Sequence, residues 1–347
     1  MKSIEYRNWI SKHISIGNEF IYLSMEDCKR TGITEDEMFD LTKKALVAHG
    51  KKEVEMPAKI GIHPQKDSLM HAMPAYISSE YACGIKWGAN FPTNQERFPD
   101  IVPTNCLLIF NDHESGLPLS VMDAYWITEV RTPAVSFVSA KYLANLNAST
   151  FGMAGCGIQG NAHVKMAGKV LKKLKKIYIY DIKESAMDKL IENCQPNIHA
   201  EITKVKNYEE LVKNSEVIAT ATPISHKPEP QIKDEWVGKG KTFLLCDCHS
   251  LVEDKTVKRA NKYILDSIEQ HSVLEKYGYY PEGLPEVYAE TGEIVAGIKK
   301  GRENNEELIV VNNVGMAVED IMIARSIFDK SLQKGIGVKL PLWKRTT

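Results

Sequence analysis

Between Ile33 and Gly50 the chain reads ITEDEMFDLTKKALVAHG, with Met38, Leu41, Ala45 and Ala48 at helical spacing. Thr34 as N-cap, Glu37 three residues on and Gly50 at the end predict one amphipathic helix. From Met56 to about Asp123 the period shortens. The runs KIGIHP, LMHAMPAYI, CGIKWG, NCLLIF and LPLSVMD are broken by Pro, Gly and Asn, which predicts a mostly antiparallel sheet with Asn111 to Pro118 as a hairpin turn. Thr128 to Leu146 returns to helical spacing and is expected to link two domains, with Pro133 tolerable only near a first turn. Beyond it apolar segments alternate with helical ones: FGMAG, Val164 to Leu174, KIYIYD, Glu184 to Glu192, SEVIATAT, TFLLCD, YILD and finally LIVVNN. Such alternation predicts a parallel sheet wound with helices on both faces. Gly315 to Leu332 reads as a closing helix that returns to the first domain. The expectation is an α/β chain with a doubly wound parallel sheet in residues 129–316 and a discontinuous α+β domain from residues 1–128 plus 317–347.

A length of 347 residues suits two domains. Lys+Arg of 44 against Asp+Glu of 45 leaves a formal net charge of -1, so no global field draws in nucleic acid or an anionic membrane. No 18-residue apolar run is present, which argues against a spanning helix, and Glu5, Arg7, Lys12 and His13 interrupt any secretory apolar region. Seven scattered cysteines sit mostly among apolar residues, as in a reduced cytoplasmic protein.

Gly155-Cys156-Gly157-Ile158-Gln159-Gly160 fits G-x-G-x-x-G, a weak signal on its own that context strengthens. An apolar strand, Thr150 to Ala154, precedes it, an amphipathic helix follows, and a second strand ends in Asp181, 21 residues after Gly160. In a Rossmann unit Gly155 allows the tight turn, Gly157 lets a pyrophosphate approach the backbone, and Gly160 permits close helix packing. Asp181 would take the ribose hydroxyls and repel a 2′-phosphate, favouring NAD over NADP. Thr222, in Ala219-Thr220-Ala221-Thr222-Pro223, is either a cofactor contact or a turn cap.

Three cations lie in or beside apolar runs of the first domain: Lys59, Lys86 and Arg131. An ammonium between Ile85 and Trp87 must pair, snorkel or change its proton affinity, which makes Lys86 the most informative of them. Together the three suit an α-carboxylate, Arg131 through its planar fork. Asp247 ends TFLLCD, at the edge of a parallel sheet where ligands bind, and is either an acid for an amine or imine or a turn cap. Cys246, Cys248 and His249 beside it lack further ligands at metal-binding spacing, so no metal is expected.

Taken together, HAMPAYI, GIKWGANFPTN, ITEVRTPAVS, GCGIQG, TATP, CDC and VGMAVED resemble the ornithine cyclodeaminase and mu-crystallin family, a resemblance that spans about Met56 to Asp329. The resemblance implies a homodimer formed through the antiparallel sheet, bound NAD, and a small amino-acid or cyclic-imine substrate. It makes Lys86 the catalytic lysine, Lys59 and Arg131 the carboxylate binders, Asp247 the acid beside the reacting amine, and adds Val314 and the glycine-motif residues to the cofactor contacts. The activity implied is conversion of L-ornithine to L-proline and ammonia through an imine. The alternatives are an amino-acid dehydrogenase or ketimine reductase, or a cofactor-bound crystallin-like binding protein. Three departures stand out. His71, grouped with the substrate contacts, stands where the cyclodeaminase pattern has an acid for the distal amine; Cys248-His249-Ser250 replaces Cys-Pro-Gly; and Asn313 replaces Ser or Thr.

Overall fold

Alternation along a strand sends successive side chains to opposite faces, and the first sheet is built on that rule. The computed structural model describes residues 3–343 except 66–67 and 225–226. The chain divides into two units, Met1–Arg131 with Met316–Thr347, and Thr132–Gly315. In the first unit the strands are β1 (Glu19–Leu23), β2 (Val54–Glu55), β3 (Ile60–Ile62), β4 (Leu69–Ile77), β5 (Ala82–Asn90), β6 (Thr104–Asn111) and β7 (Pro118–Asp123). The sheet runs from the chain's last strand, Val338–Pro341, through β1, β7, β6, β5 and β4 to β2, with β3 paired to β4. All pairings are antiparallel except β1 with β7. One face is buried under helix Ala317–Lys334, where Phe110 and Phe328 meet at 5.3 Å. Gly84 is needed there, because a Cβ would lie 2.4 Å from the Ile109 carbonyl oxygen and 2.9 Å from Ile321 Cδ1.

The second unit holds β8 (Thr150–Ala154), β9 (Lys176–Tyr180), β10 (Glu201–Lys204), β11 (Val217–Thr220), β12 (Thr242–Leu245), β13 (Lys262–Leu265), β14 (Ala289–Glu290) and β15 (Ile309–Asn312). They form one parallel sheet in the order β10-β9-β8-β11-β12-β15-β13-β14. Its central strands β11, β12, β13 and β15 are buried at every position, as expected for strands covered on both faces. The order reverses between β8 and β11, which makes their carboxyl ends the topological switch point. This is the α/β class read from the sequence.

One expectation is corrected. The helix expected from Thr128 begins at Tyr125, so Pro133 lies inside it and not near its first turn. Asp123 Oδ1 accepts from the Trp126 N–H at 3.2 Å and starts the helix early. Ile127, Val130, Ala134, Val135, Phe137, Val138 and Leu143 are all buried. Burial of that many apolar side chains outweighs a proline penalty of about 3 kcal/mol.

Candidate functional site

In the first unit the strand period carries polar groups into the core. The inward set of β5 is Ala82, Gly84, Lys86 and Gly88, while Trp87 points outward. Lys86 sits opposite Met73 of β4 and Leu108 of β6 and is 2% exposed. Its Nζ donates to Asp320 Oδ2 at 2.6 Å and reaches Thr128 Oγ1 at 3.5 Å. Arg131, also buried, donates through one terminal nitrogen to Glu319 Oε2 at 3.2 Å, and its Nε lies 3.3 Å from Asp320 Oδ1. Glu319 and Asp320 are fully buried in the first turn of helix Ala317–Lys334, where the backbone dipole favours negative charge. Four formal charges therefore alternate along one line: Lys86, Asp320, Arg131, Glu319.

His71 shares the buried face of β4 with Met73 and Ala75. Burial, and then the charges of Lys59, His63 and Lys86, push its imidazole down to about 3, so it is neutral at ordinary pH. Lys59, also buried, precedes β3. β3 passes close to His71 because Gly61 has no Cβ; one would lie 2.3 Å from His71 Cδ2. The first unit thus gathers Lys59, His71, Lys86 and Arg131. A fixed guanidinium and ammonium of this kind can hold a carboxylate and carry a proton at a neighbouring atom. Glu319 and Asp320 were not among the sequence candidates. Their signal was available: two acids inside AVEDIMI are as anomalous among apolar neighbours as Lys86 is.

In the second unit the register aligns Ala154, Tyr180, Thr220 and Leu245, so the turns after four neighbouring strands share one edge. Gly155 has φ +92°, and a Cβ there would lie 2.7 Å from the Ala221 carbonyl oxygen. A Cβ on Gly160 would lie 2.1 Å from the Gly155 carbonyl oxygen, so both glycines are required by the protein itself. Gly157, the N-cap of helix Ile158–Val170, has nothing within 4 Å of where its Cβ would be. Open space over a bare helix N-terminus is what a dinucleotide's pyrophosphate requires, so these residues fit such a cofactor.

Asp181 Oδ2 accepts from the Cys156 N–H at 2.7 Å and Oδ1 from the Lys183 N–H at 2.9 Å, which ties the acid to the glycine loop. Ile158 is 44% exposed, and the Gln159 carbonyl accepts from His163 Nδ1 at 2.8 Å. Thr222 donates to Asp247 Oδ2 at 2.8 Å and Thr220 to Oδ1 at 2.7 Å. Asp247 is fully buried, and burial pushes its carboxyl up. The two residues after it, Cys248 (φ 55°) and His249 (φ 49°), are both left-handed, a strained turn that fixes the acid's direction. Val314 packs against the cluster of Cys248, Leu274, Tyr279 and Tyr280. Asn313 is held by Thr291 at 2.8 Å and Ser139 at 3.0 Å. Among the described residues no cluster of three His, Cys, Asp or Glu could hold a metal, and no helix is long and apolar enough to cross a membrane.

Comparison with known proteins matches the model of the ornithine cyclodeaminase/mu-crystallin family to residues 23–335. The nodulation efficiency protein NfeD of Rhizobium meliloti is 33% identical over 319 residues, 91% of this chain and 97% of that one. Alanine dehydrogenase of Archaeoglobus fulgidus is 30% identical over 337 residues, 94% of this chain and 99% of that one. The structure of Thermococcus litoralis Δ1-pyrroline-2-carboxylate reductase with NADH and L-proline superposes with a TM-score of 0.82 at 26% identity, covering 92% of this chain and 99% of that one.

Proposed function

The chain belongs to the ornithine cyclodeaminase/mu-crystallin family, and from that premise we propose that it is an NAD-dependent enzyme working through an imine at the Cα–N bond of a small α-amino acid with an uncharged side chain. The observation that carries the choice of side chain is the neutral, buried His71 among the proposed substrate contacts, where the resemblance to cyclodeaminases implies an acid. An imidazole held down to about 3 offers no counter-charge to a distal ammonium, and burying an unpaired cation costs several kcal/mol. The alanine dehydrogenase and pyrroline-carboxylate reductase relatives support the same class of chemistry.

NAD, when bound, supplies the hydride acceptor for Cα, and NADH the donor in reverse. Arg131 and Lys59 hold the α-carboxylate, Lys86 holds or moves a proton at the nitrogen or at water, and Asp247, its proton affinity raised by burial, is the acid for the amine. Gly155 to Gly160, Asp181, Thr222 and Val314 are assigned to the cofactor, with NAD preferred over NADP. A homodimer through the first sheet is supported by its outward face, where Trp87, Leu107 and Ile109 stay 38–49% exposed. A cytoplasmic setting is supported by seven free cysteines.

The second reading is redox-neutral cyclisation of ornithine to proline, favoured by the family match itself. Incubation with NAD and either ornithine or a panel of neutral amino acids separates the two. NADH and a keto acid from a neutral amino acid, with slow ornithine turnover, is the expected result. Brisk conversion of ornithine to proline without net NADH would overturn the assignment of the side chain.

A further inference from the structure

Buried ion pairs are a poor way to stabilise a fold, because desolvation of both partners offsets most of their attraction, and apolar residues of the same volume often do as well. Two adjacent carboxylates at 0% exposure in a helix that is otherwise apolar around Ala317, Val318, Ile321 and Met322 therefore call for another explanation. The helix's N-cap, Met316, makes no side-chain cap hydrogen bond. Both are turned to cations from other elements: Asp320 to Lys86 of β5 and to Arg131 of helix Tyr125–Leu143, Glu319 to the same arginine.

Resting on the function proposed above, we infer that Asp320 and Glu319 are positioning residues of the reaction. Asp320 is the shared counter-ion that fixes the Lys86 ammonium and the Arg131 guanidinium relative to one another, and Glu319 aims the far side of the guanidinium. A bidentate carboxylate clamp works only if its planar fork is held in one orientation. A flexible lysine becomes a proton carrier of defined direction only if its rotamers are reduced to one. Asp320 serves both needs with its two oxygens, at 2.6 Å from Lys86 Nζ and 3.3 Å from Arg131 Nε. The other groups around Lys86 are His71 on β4, Cys106 on β6 and Thr128 on the helix; the imidazole is neutral and burial pushes the Cys106 thiol up, so neither supplies an anion there.

The test uses the full-length protein and two readouts. In Asp320→Asn, competitive labelling of lysines with an amine acylating reagent across pH, read at Lys86 by mass spectrometry, should show the Lys86 midpoint falling by about one pH unit or more, since loss of a close counter-charge favours the neutral amine. Imine reduction by the same variant should lose about 100-fold or more in kcat, and Asp320→Glu should recover part of it. Glu319→Gln, which keeps a hydrogen-bonding group and the volume, should raise KM about tenfold with kcat little changed, as expected when only ground-state and transition-state binding are lost together. An unchanged Lys86 midpoint in Asp320→Asn, or a Glu319→Gln enzyme with parental KM, overturns the inference. Should Asp320→Asn fail to fold, the KM of Glu319→Gln carries the test alone, and a parental KM overturns the inference. Labelling needs no turnover, so a protein inactive on every imine offered would sink the functional reading while the Lys86 midpoint still decides this one.

Discussion

On the function proposed here, the two units hold a charged ligand in opposite ways. In the second, backbone does the work: a helix N-terminus lies bare under Gly157, and the nearby Asp181 is satisfied by main-chain N–H groups of Cys156 and Lys183. In the first, side chains do it: Lys86 and Arg131 are buried and matched to Asp320 and Glu319, which come from 188 or more positions further along the chain. A backbone site depends on glycine geometry and is local in sequence. A side-chain site depends on tertiary pairing and is not.

The sharpest way to break this comparison is to remove a charge from the first unit and ask whether the second notices. Lys86→Ala should lower turnover by about 100- to 10,000-fold, the range of a lost proton-transfer group, with NAD affinity unchanged by fluorescence titration. Weakened NAD binding in that variant would mean the two sites are not separable. Next in size are the glycines. Gly160→Ala should lose roughly 1–3 kcal/mol of stability in urea unfolding, because the new Cβ meets the Gly155 carbonyl oxygen, whereas Gly157→Ala should unfold like the parent and bind NAD about tenfold more weakly. Equal effects on stability and binding in the two variants would contradict the division between a glycine required by the fold and one reserved for a ligand.

A smaller effect separates two buried imidazoles. His71 is held down to about 3 by burial and by neighbouring cations, whereas His163 in the second unit is held to about 4 by burial alone, opposed by its bond to Gln159. Both are neutral in the fold and charged when unfolded below the ordinary histidine range, so their stabilising effect is present above about 6.5 and is lost as pH falls toward 3 or 4. His71→Gln should reduce the loss of stability between pH 7 and pH 4.5 by about 2 kcal/mol, measured by urea unfolding at each pH. An unaltered pH dependence would show that His71 does not titrate as its surroundings require. Smallest is Asp181→Ser, which should narrow the preference for NAD over NADP severalfold in paired titrations by removing repulsion of the 2′-phosphate.

What could be read from the sequence follows the same division. The parallel sheet was legible because its strands are continuous apolar runs such as TFLL and IVVN, and the glycine turn because its residues are contiguous. The hairpin between β6 and β7 was legible from Asn111 to Pro118, which pair with each other. The last strand, Val338–Pro341, was not, since an edge strand exposed at every position carries little apolar signal, and β1 was not read although EFIYL is largely apolar, because its partners β7 and the last strand lie far along the chain. Lys86 and Arg131 were legible as anomalies, and Glu319 and Asp320 could have been, but their pairing was not, because nothing local in the sequence tells a buried acid which cation it meets. Pro133 misled for a related reason: its local penalty was visible, and the burial that outweighs it is tertiary.

The central claim, hydride chemistry at Cα of an imino acid, is tested most directly with NADH carrying deuterium at both C4 positions. The protein is incubated with pyruvate and ammonia, or with a five-membered cyclic imino acid, and the amino-acid product is read by mass spectrometry. The account predicts one deuterium at Cα for each NADH oxidised; NADH that binds tightly while no label reaches carbon with any imine offered would contradict it.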